Sequence, residues 1–99
     1  MELNKIITYI NFAKKSKNVV YGVDDILKSK KVQLVFISSE LAQSSKNKVQ
    51  KFTATHSISE FLLEKNQFFE IIQNDSIKVF GITDKNLANA IKLNLTNKC

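Results

Sequence analysis

The apolar residues Leu3, Ile6, Ile7, Ile10 and Ala13 fall at i, i+3, i+4, i+7 and i+10, which predicts a helix over residues 3–15. Asn4, Lys5, Thr8, Asn11 and Lys15 take its other side. Val19-Val20-Tyr21 is a short β-prone run that Gly22 breaks, and a second helix is expected from Val23 to about Ser29, burying Val23, Ile26 and Leu27. Leu34-Val35-Phe36-Ile37 is continuously apolar and too short for a helix, as in a strand covered on both faces. A loop over Ser38–Gln43 then leads to a third helix, capped by Ser44 or Ser45 and reaching about Ala54. Val49 and Phe52 turn inward there, and Lys46, Lys48 and Lys51 outward.

Weaker alternation places a third strand over His56–Phe61, followed by a loop at Leu62-Leu63-Glu64-Lys65. A short helix over Gln67–Gln73 would bury Phe68, Ile71 and Ile72. Ile77–Ile82 reads as the fourth strand. Thr83 or Asp84 caps a last helix whose apolar face is Leu87, Ala88, Ile91 and Leu95. Helices and short strands alternate without repeat or linker. The pattern predicts an α/β fold, a three-layer α/β/α sandwich around a small four-stranded mixed sheet, as one domain over residues 1–99.

Composition adds little to that picture until charge is considered. No apolar run is long enough for a membrane span, and the N-terminus lacks an apolar signal core. The single cysteine, Cys99, fits a reducing, cytoplasmic setting. All 15 basic residues are lysines, and they are unevenly placed. Residues 1–53 hold ten lysines and four acids, a net +6, whereas residues 54–99 are neutral overall. Such an excess points to a polyanionic partner for the first half, or to a lysine bias that only maintains solubility.

The residues for catalysis are missing from the pattern. One histidine and one terminal cysteine make no metal set, and two glycines make no phosphate-cradling loop. His56, in the expected third strand, reads as structural, the serines have no second histidine to serve a nucleophile and no acid placed beside one, and Gly81 is expected to mark close packing within a strand. Asp24 and Asp25, adjacent on a helix, point about 100° apart and cannot act as a carboxylate pair. No enzyme activity, cofactor, metal or small-molecule substrate is expected.

One stretch, Gly22 to Lys28, permits two readings. Asp24 and Asp25 suit the first turn of a helix, and Lys28 can pair with Asp24 at i, i+4, so the stretch can be a capped helix and nothing more. It can also be a site, because the exposed helix start beside a glycine admits another molecule closely. Acids accept hydrogen bonds from base amino groups and a lysine donates to guanine, which suits exposed base edges in irregular RNA.

The run Ala13-Lys14-Lys15-Ser16-Lys17-Asn18-Val19-Val20-Tyr21-Gly22, then Asp24, Lys28, the strand from Leu34 to Ile37 with Glu40, and Ile82-Thr83-Asp84 resembles the kink-turn RNA-binding ribosomal protein family (the L-seven-Ae family). The bacterial YlxQ-like branch is the nearest in pattern, and the resemblance runs from about residue 3 to 95. It implies an α/β/α sandwich that binds structured RNA, usually in or near the ribosome. In that family a Gly-Ala-Asn-Glu segment, with a lysine six residues after the glycine, reads tandem sheared G·A pairs. Gly22 and Lys28 match, while Val23, Asp24 and Asp25 replace the other three, and Asp24 lacks the amide donor. Glu40 matches an acid after the second strand, and Leu62, Leu63 and Lys65 fall where a hydrophobic loop would cover a flipped nucleotide. Phe68-Phe69 stands where the family has Leu-Gly in the fourth helix, and Gln73 where it has a later glycine.

The resemblance thus implies a monomeric RNA-binding domain that does no chemistry. Gly22, Val23, Asp24, Asp25, Lys28 and Glu40 would line the RNA, Lys15, Lys17 and Lys31 would hold phosphates, and Leu62, Leu63 and Lys65 would meet an unstacked base. The alternative is a protein-interaction module on the same fold that has lost kink-turn recognition.

Overall fold

The computed structural model describes residues 3–96. Its elements are α1 (Leu3–Lys15), β1 (Val19–Tyr21), α2 (Val23–Lys28), β2 (Leu34–Ser38), α3 (Gln43–Thr55), β3 (Ser59–Leu63), α4 (Lys65–Ile72), β4 (Val79–Ile82) and α5 (Lys85–Thr96). The strands form one mixed sheet in the order β1-β4-β2-β3. β4 is antiparallel to β1 and β2, and β3 is parallel to β2. Helices α1, α4 and α5 cover one face and α2 and α3 the other, giving the three layers expected.

Period-two alternation in the inner strands builds both cores. Leu34 and Phe36 of β2 and Phe80 and Ile82 of β4 face α1, α4 and α5, packing with Ile6, Ile10, Ile71 and Ile91. Val35, Ile37 and Val79 face α2 and α3, against Ile26 and Val49. Because each inner strand has two covered faces, every residue of β2 and β4 is buried. The register also sets Phe61, Phe36, Phe80 and Tyr21 in one row across all four strands. Phe36 stacks on Phe80 with ring centroids 5.1 Å apart, and Phe61 and Phe68 extend the cluster. Gly81 behaves as its place in a strand predicted. A Cβ there would lie 3.2 Å from Val32 Cγ1 and 3.3 Å from Val20 Cγ2.

Helix ends fix the connections. α1 and α3 both close in a Schellman turn, with Lys17 and Ser57 in the left-handed region at φ 60° and 55°. The Asn18 and Ile58 amides donate back to the carbonyls of Ala13 and Thr53, each at 2.8 Å. Asp84 caps α5 through a 2.9 Å hydrogen bond from the Leu87 amide. Asp84→Ala leaves that amide unpaired and should cost about 1 kcal/mol, measurable as a lower urea midpoint with an unchanged slope.

Several sequence expectations shift. α3 begins at Gln43, so Ser44 and Ser45 lie inside its first turn and not at its cap; Ala42 precedes it and supplies no side-chain bond. α3 also continues to Thr55, which makes His56 the residue that ends a helix and not part of a strand. β3 therefore starts at Ser59, three residues late, and takes in Leu62 and Leu63, which had been expected in a loop. α4 starts at Lys65 and ends at Ile72, with Gln73 left-handed beyond it. The fourth strand is shorter than expected, at Val79–Ile82. No helix among the described residues is long and apolar enough to cross a membrane. Cys99 lies outside the described residues.

Candidate nucleic-acid interface

β1, β2 and β3 run in the same sense, so the sheet has a finishing end, where α2, α3 and α4 begin, and a starting end, where α1, α2 and α3 conclude. At the finishing end, Gly22 precedes α2 with φ 86° and ψ 159°. Its amide donates to the Val79 carbonyl at 3.0 Å, and its carbonyl accepts from the Ile26 amide at 3.2 Å. Val23 is half-buried against the second core, while Asp24 and Asp25 are exposed on the first turn. Lys28 does not pair with Asp24, so the i, i+4 ion pair does not form. A Cβ at Gly22 would meet nothing within 4 Å, and this helix start is open to solvent.

Glu40 stands at the same end but is occupied. Its carboxylate accepts from Lys78 Nζ at 3.1 Å and lies 3.7 Å from Lys65 Nζ. The Lys78 hydrogen bond, offset in part by desolvation and helped by the charges of Lys65 and Lys78, holds the Glu40 carboxyl below its ordinary value. Lys65 and Glu40 are thus partners of each other. Nor does a hydrophobic cover loop exist here. Strand pairing opposite Ile37 and Ser38 turns Leu62 outward and Leu63 inward, and Leu63 is only 6% exposed within the core. Leu63 is corrected from a base contact to a core residue, and Leu62 remains as an exposed side chain on an edge strand.

The starting end collects the other expected residues. Lys15 and Lys17 close α1 at the far end of β1 from Gly22, about 10 Å away at 3.3 Å per strand residue. Lys31 is exposed in the connection into β2. Lys14, by contrast, is committed. Its ammonium donates to the Ile72 carbonyl at the end of α4, 2.9 Å away, and burial lowers its pKa from the ordinary 10.5.

Between α2 and α3 this end opens into a cleft of about 540 Å³, with Lys28, Lys30, Phe52, His56 and Lys92 among its lining residues. A second hollow of about 340 Å³ shares Leu27, Phe52 and His56 with it and adds Lys48 and Lys51. The shared residues make the two hollows parts of one groove, and among the described residues no carboxylate lines either part. The Phe52 and His56 rings lie 4.7 Å apart, tilted by 53°. Lys48, Lys51, Phe52, Thr55 and His56 occupy one stripe of α3 at three- and four-residue spacing.

Helix dipoles explain part of this charge. Each helix C-terminus carries about half a negative charge, so the ends of α2 and α3 absorb about one positive charge between them. Lys28, Lys30, Lys48 and Lys51 form no ion pair with a described carboxylate. Most of their charge is left for an outside anion. Lys30, Lys48, Lys51, Phe52 and His56 are the site residues that the sequence reading did not select. On α3 their signal was the spacing of Lys48, Lys51, Phe52 and His56, passed over because Phe52 was expected to turn inward and the lysines outward.

No group of three or more His, Cys, Asp or Glu that could hold a metal occurs among the described residues. No protein-family model matches the chain, and no curated protein matches its sequence. The chain is similar in structure to a protein of unknown function from Bacillus halodurans C, with a TM-score of 0.82 at 16% identity, covering 94% of this chain and 98% of that one. Identity that low speaks for a shared fold alone.

Proposed function

We propose that this chain is a non-catalytic, cytoplasmic, monomeric domain that binds structured RNA, associated with the ribosome in the manner of the kink-turn family it resembles. The observation that carries this reading is the α2–α3 groove, where Lys28, Lys30, Lys48 and Lys51 form no ion pair with a described carboxylate and no acid lines the walls among the described residues. Such a surface suits a phosphate backbone, whose binding draws its affinity from counterion release. Lys28 then contributes a phosphate contact from the groove. Lys15, Lys17 and Lys31 extend the basic surface along the same end of the sheet.

A fluorescence-anisotropy titration with a kink-turn RNA tests the reading. The logarithm of the association constant should fall against the logarithm of salt with a slope of about −3 to −4, for four or so neutralised phosphates. Lys28→Ala should weaken binding and flatten that slope by about one. Equal affinity and equal slope for the variant would remove Lys28 from the interface. Exposed Asp24 and Asp25 favour a protein partner at the opposite end. Binding there through an apolar interface would be nearly indifferent to salt, and a flat slope for the whole chain would favour that second reading.

A further inference from the structure

We infer that the α2–α3 groove takes an unpaired, single-stranded stretch of RNA, with a base against Phe52 and His56 and flanking phosphates on Lys28, Lys48 and Lys51. This rests on the RNA-binding reading and names what enters the groove. Duplex RNA offers phosphates to any basic surface, but its bases are stacked inside and cannot reach a groove floor. The groove here has more than charge. Phe52 contributes to the lining of both its parts, and the exposed His56 ring stands beside it at 4.7 Å. Lysines on both sides of an aromatic floor are the arrangement by which proteins bind single strands, with bases on π-faces and the backbone on cations.

The size agrees with that occupant. Clefts of about 300–1,000 Å³ accommodate small organic ligands, and the main hollow, at about 540 Å³, falls within that range. The second hollow, with Lys48 and Lys51, continues past the aromatic pair, so that the chain can run on after the base is seated. Two helix turns separate Lys48 from His56 on α3, about 12 Å at 1.5 Å per residue.

The test compares the full chain with His56→Ala and Phe52→Leu, the latter keeping an apolar side chain against the core, after circular dichroism has established that each folds. Probes are a 12-nucleotide oligouridylate, a 12-base-pair RNA duplex, uridine monophosphate and polyglutamate. The wild type should prefer the single strand over the duplex. Each variant should lose about 5- to 150-fold in affinity for the single strand, the range for one stacked base, with the salt slope unchanged. Lys48→Ala/Lys51→Ala should instead flatten the slope by about 1.4, at about 0.7 per phosphate contact on a single strand.

Unchanged single-strand affinity in both aromatic variants would overturn the inference, as would equal or tighter duplex binding, and in either case the RNA-binding reading would stand. Uridine monophosphate binding as tightly as the oligomer would make the groove a free-nucleotide site, and equally tight polyglutamate would make it a bare charge contact. Both outcomes also overturn the inference. Binding to none of these RNAs would overturn the inference too, and failure to bind the kink-turn RNA as well would remove the RNA-binding reading itself.

Discussion

Phe36→Ala is expected to lower the stability of the fold by about 3–5 kcal/mol, read from urea or thermal unfolding. Phe36 is fully buried in the second position of the central row, stacked on Phe80 at 5.1 Å and tilted against Phe61 at 6.1 Å. Truncation removes both ring contacts and leaves a void between β2 and the α1 layer, which β2 cannot close because its backbone is paired on both sides. A domain of this size ordinarily has about 5–15 kcal/mol in hand, so the change takes up a large part of that reserve. Phe61→Ala, at the half-buried edge of the same row, should cost clearly less. Equal losses at the two positions would mean that burial depth does not set the cost.

The second large effect is expected at Gly22. Its φ of 86° with ψ of 159° lies in a region that residues with a side chain almost never occupy, so Gly22→Val should cost about 1–3 kcal/mol through the backbone. No neighbour stands within 4 Å of the added Cβ, so steric packing contributes nothing. Gly22→Ala should therefore lose nearly as much as Gly22→Val, whereas at Gly81, hemmed in by Val32 and Val20, a larger side chain should cost more than alanine. A strong dependence on side-chain size at Gly22 would count against the backbone explanation. The two glycines serve opposite needs: one permits a bend in open space, the other fills a place with no room.

Much of the fold was legible because local pattern and tertiary burial agree. The α1 stripe of Ile6, Ile10 and Ala13 is wholly buried, and the apolar run from Leu34 to Ile37 is covered on both faces as its continuity implied. Asp84 was legible as a cap because it stands three residues before the amide it accepts from. The α3–β3 passage was not legible, for reasons that lie in particular residues. α3 starts after Ala42, which carries no capping oxygen, and it turns off through Ser57 where a glycine would have marked the stop. Leu62 and Leu63 look like one apolar patch in sequence, yet the strand sends them to opposite sides.

The candidate site was read only in fragments. Gly22, Asp24 and Asp25 do share an exposed helix start, and Lys28 does project into a basic cleft, but a six-residue helix of about 9 Å separates the two features. Lys15, Lys17 and Lys31 go with Lys28's end of the molecule, and Glu40 and Lys65 with the other. No local spacing in the chain could show that residue 28 borders the same groove as residues 48, 52 and 56, because α2 and α3 are brought side by side only when both pack on the sheet.

The place of β4 also governs the order in which the molecule can assemble. Three of the four strands are present by residue 63, yet the slot between β1 and β2 stays vacant until residues 79–82 arrive. The β2–α3–β3 unit can form from neighbouring chain, whereas β1 must wait for a partner about 60 residues downstream. Closing so long a loop is slow compared with local pairing. A chain cut before residue 79 would therefore keep a two-stranded fragment with one naked apolar edge, and the N-terminal helix would have no completed sheet to cover.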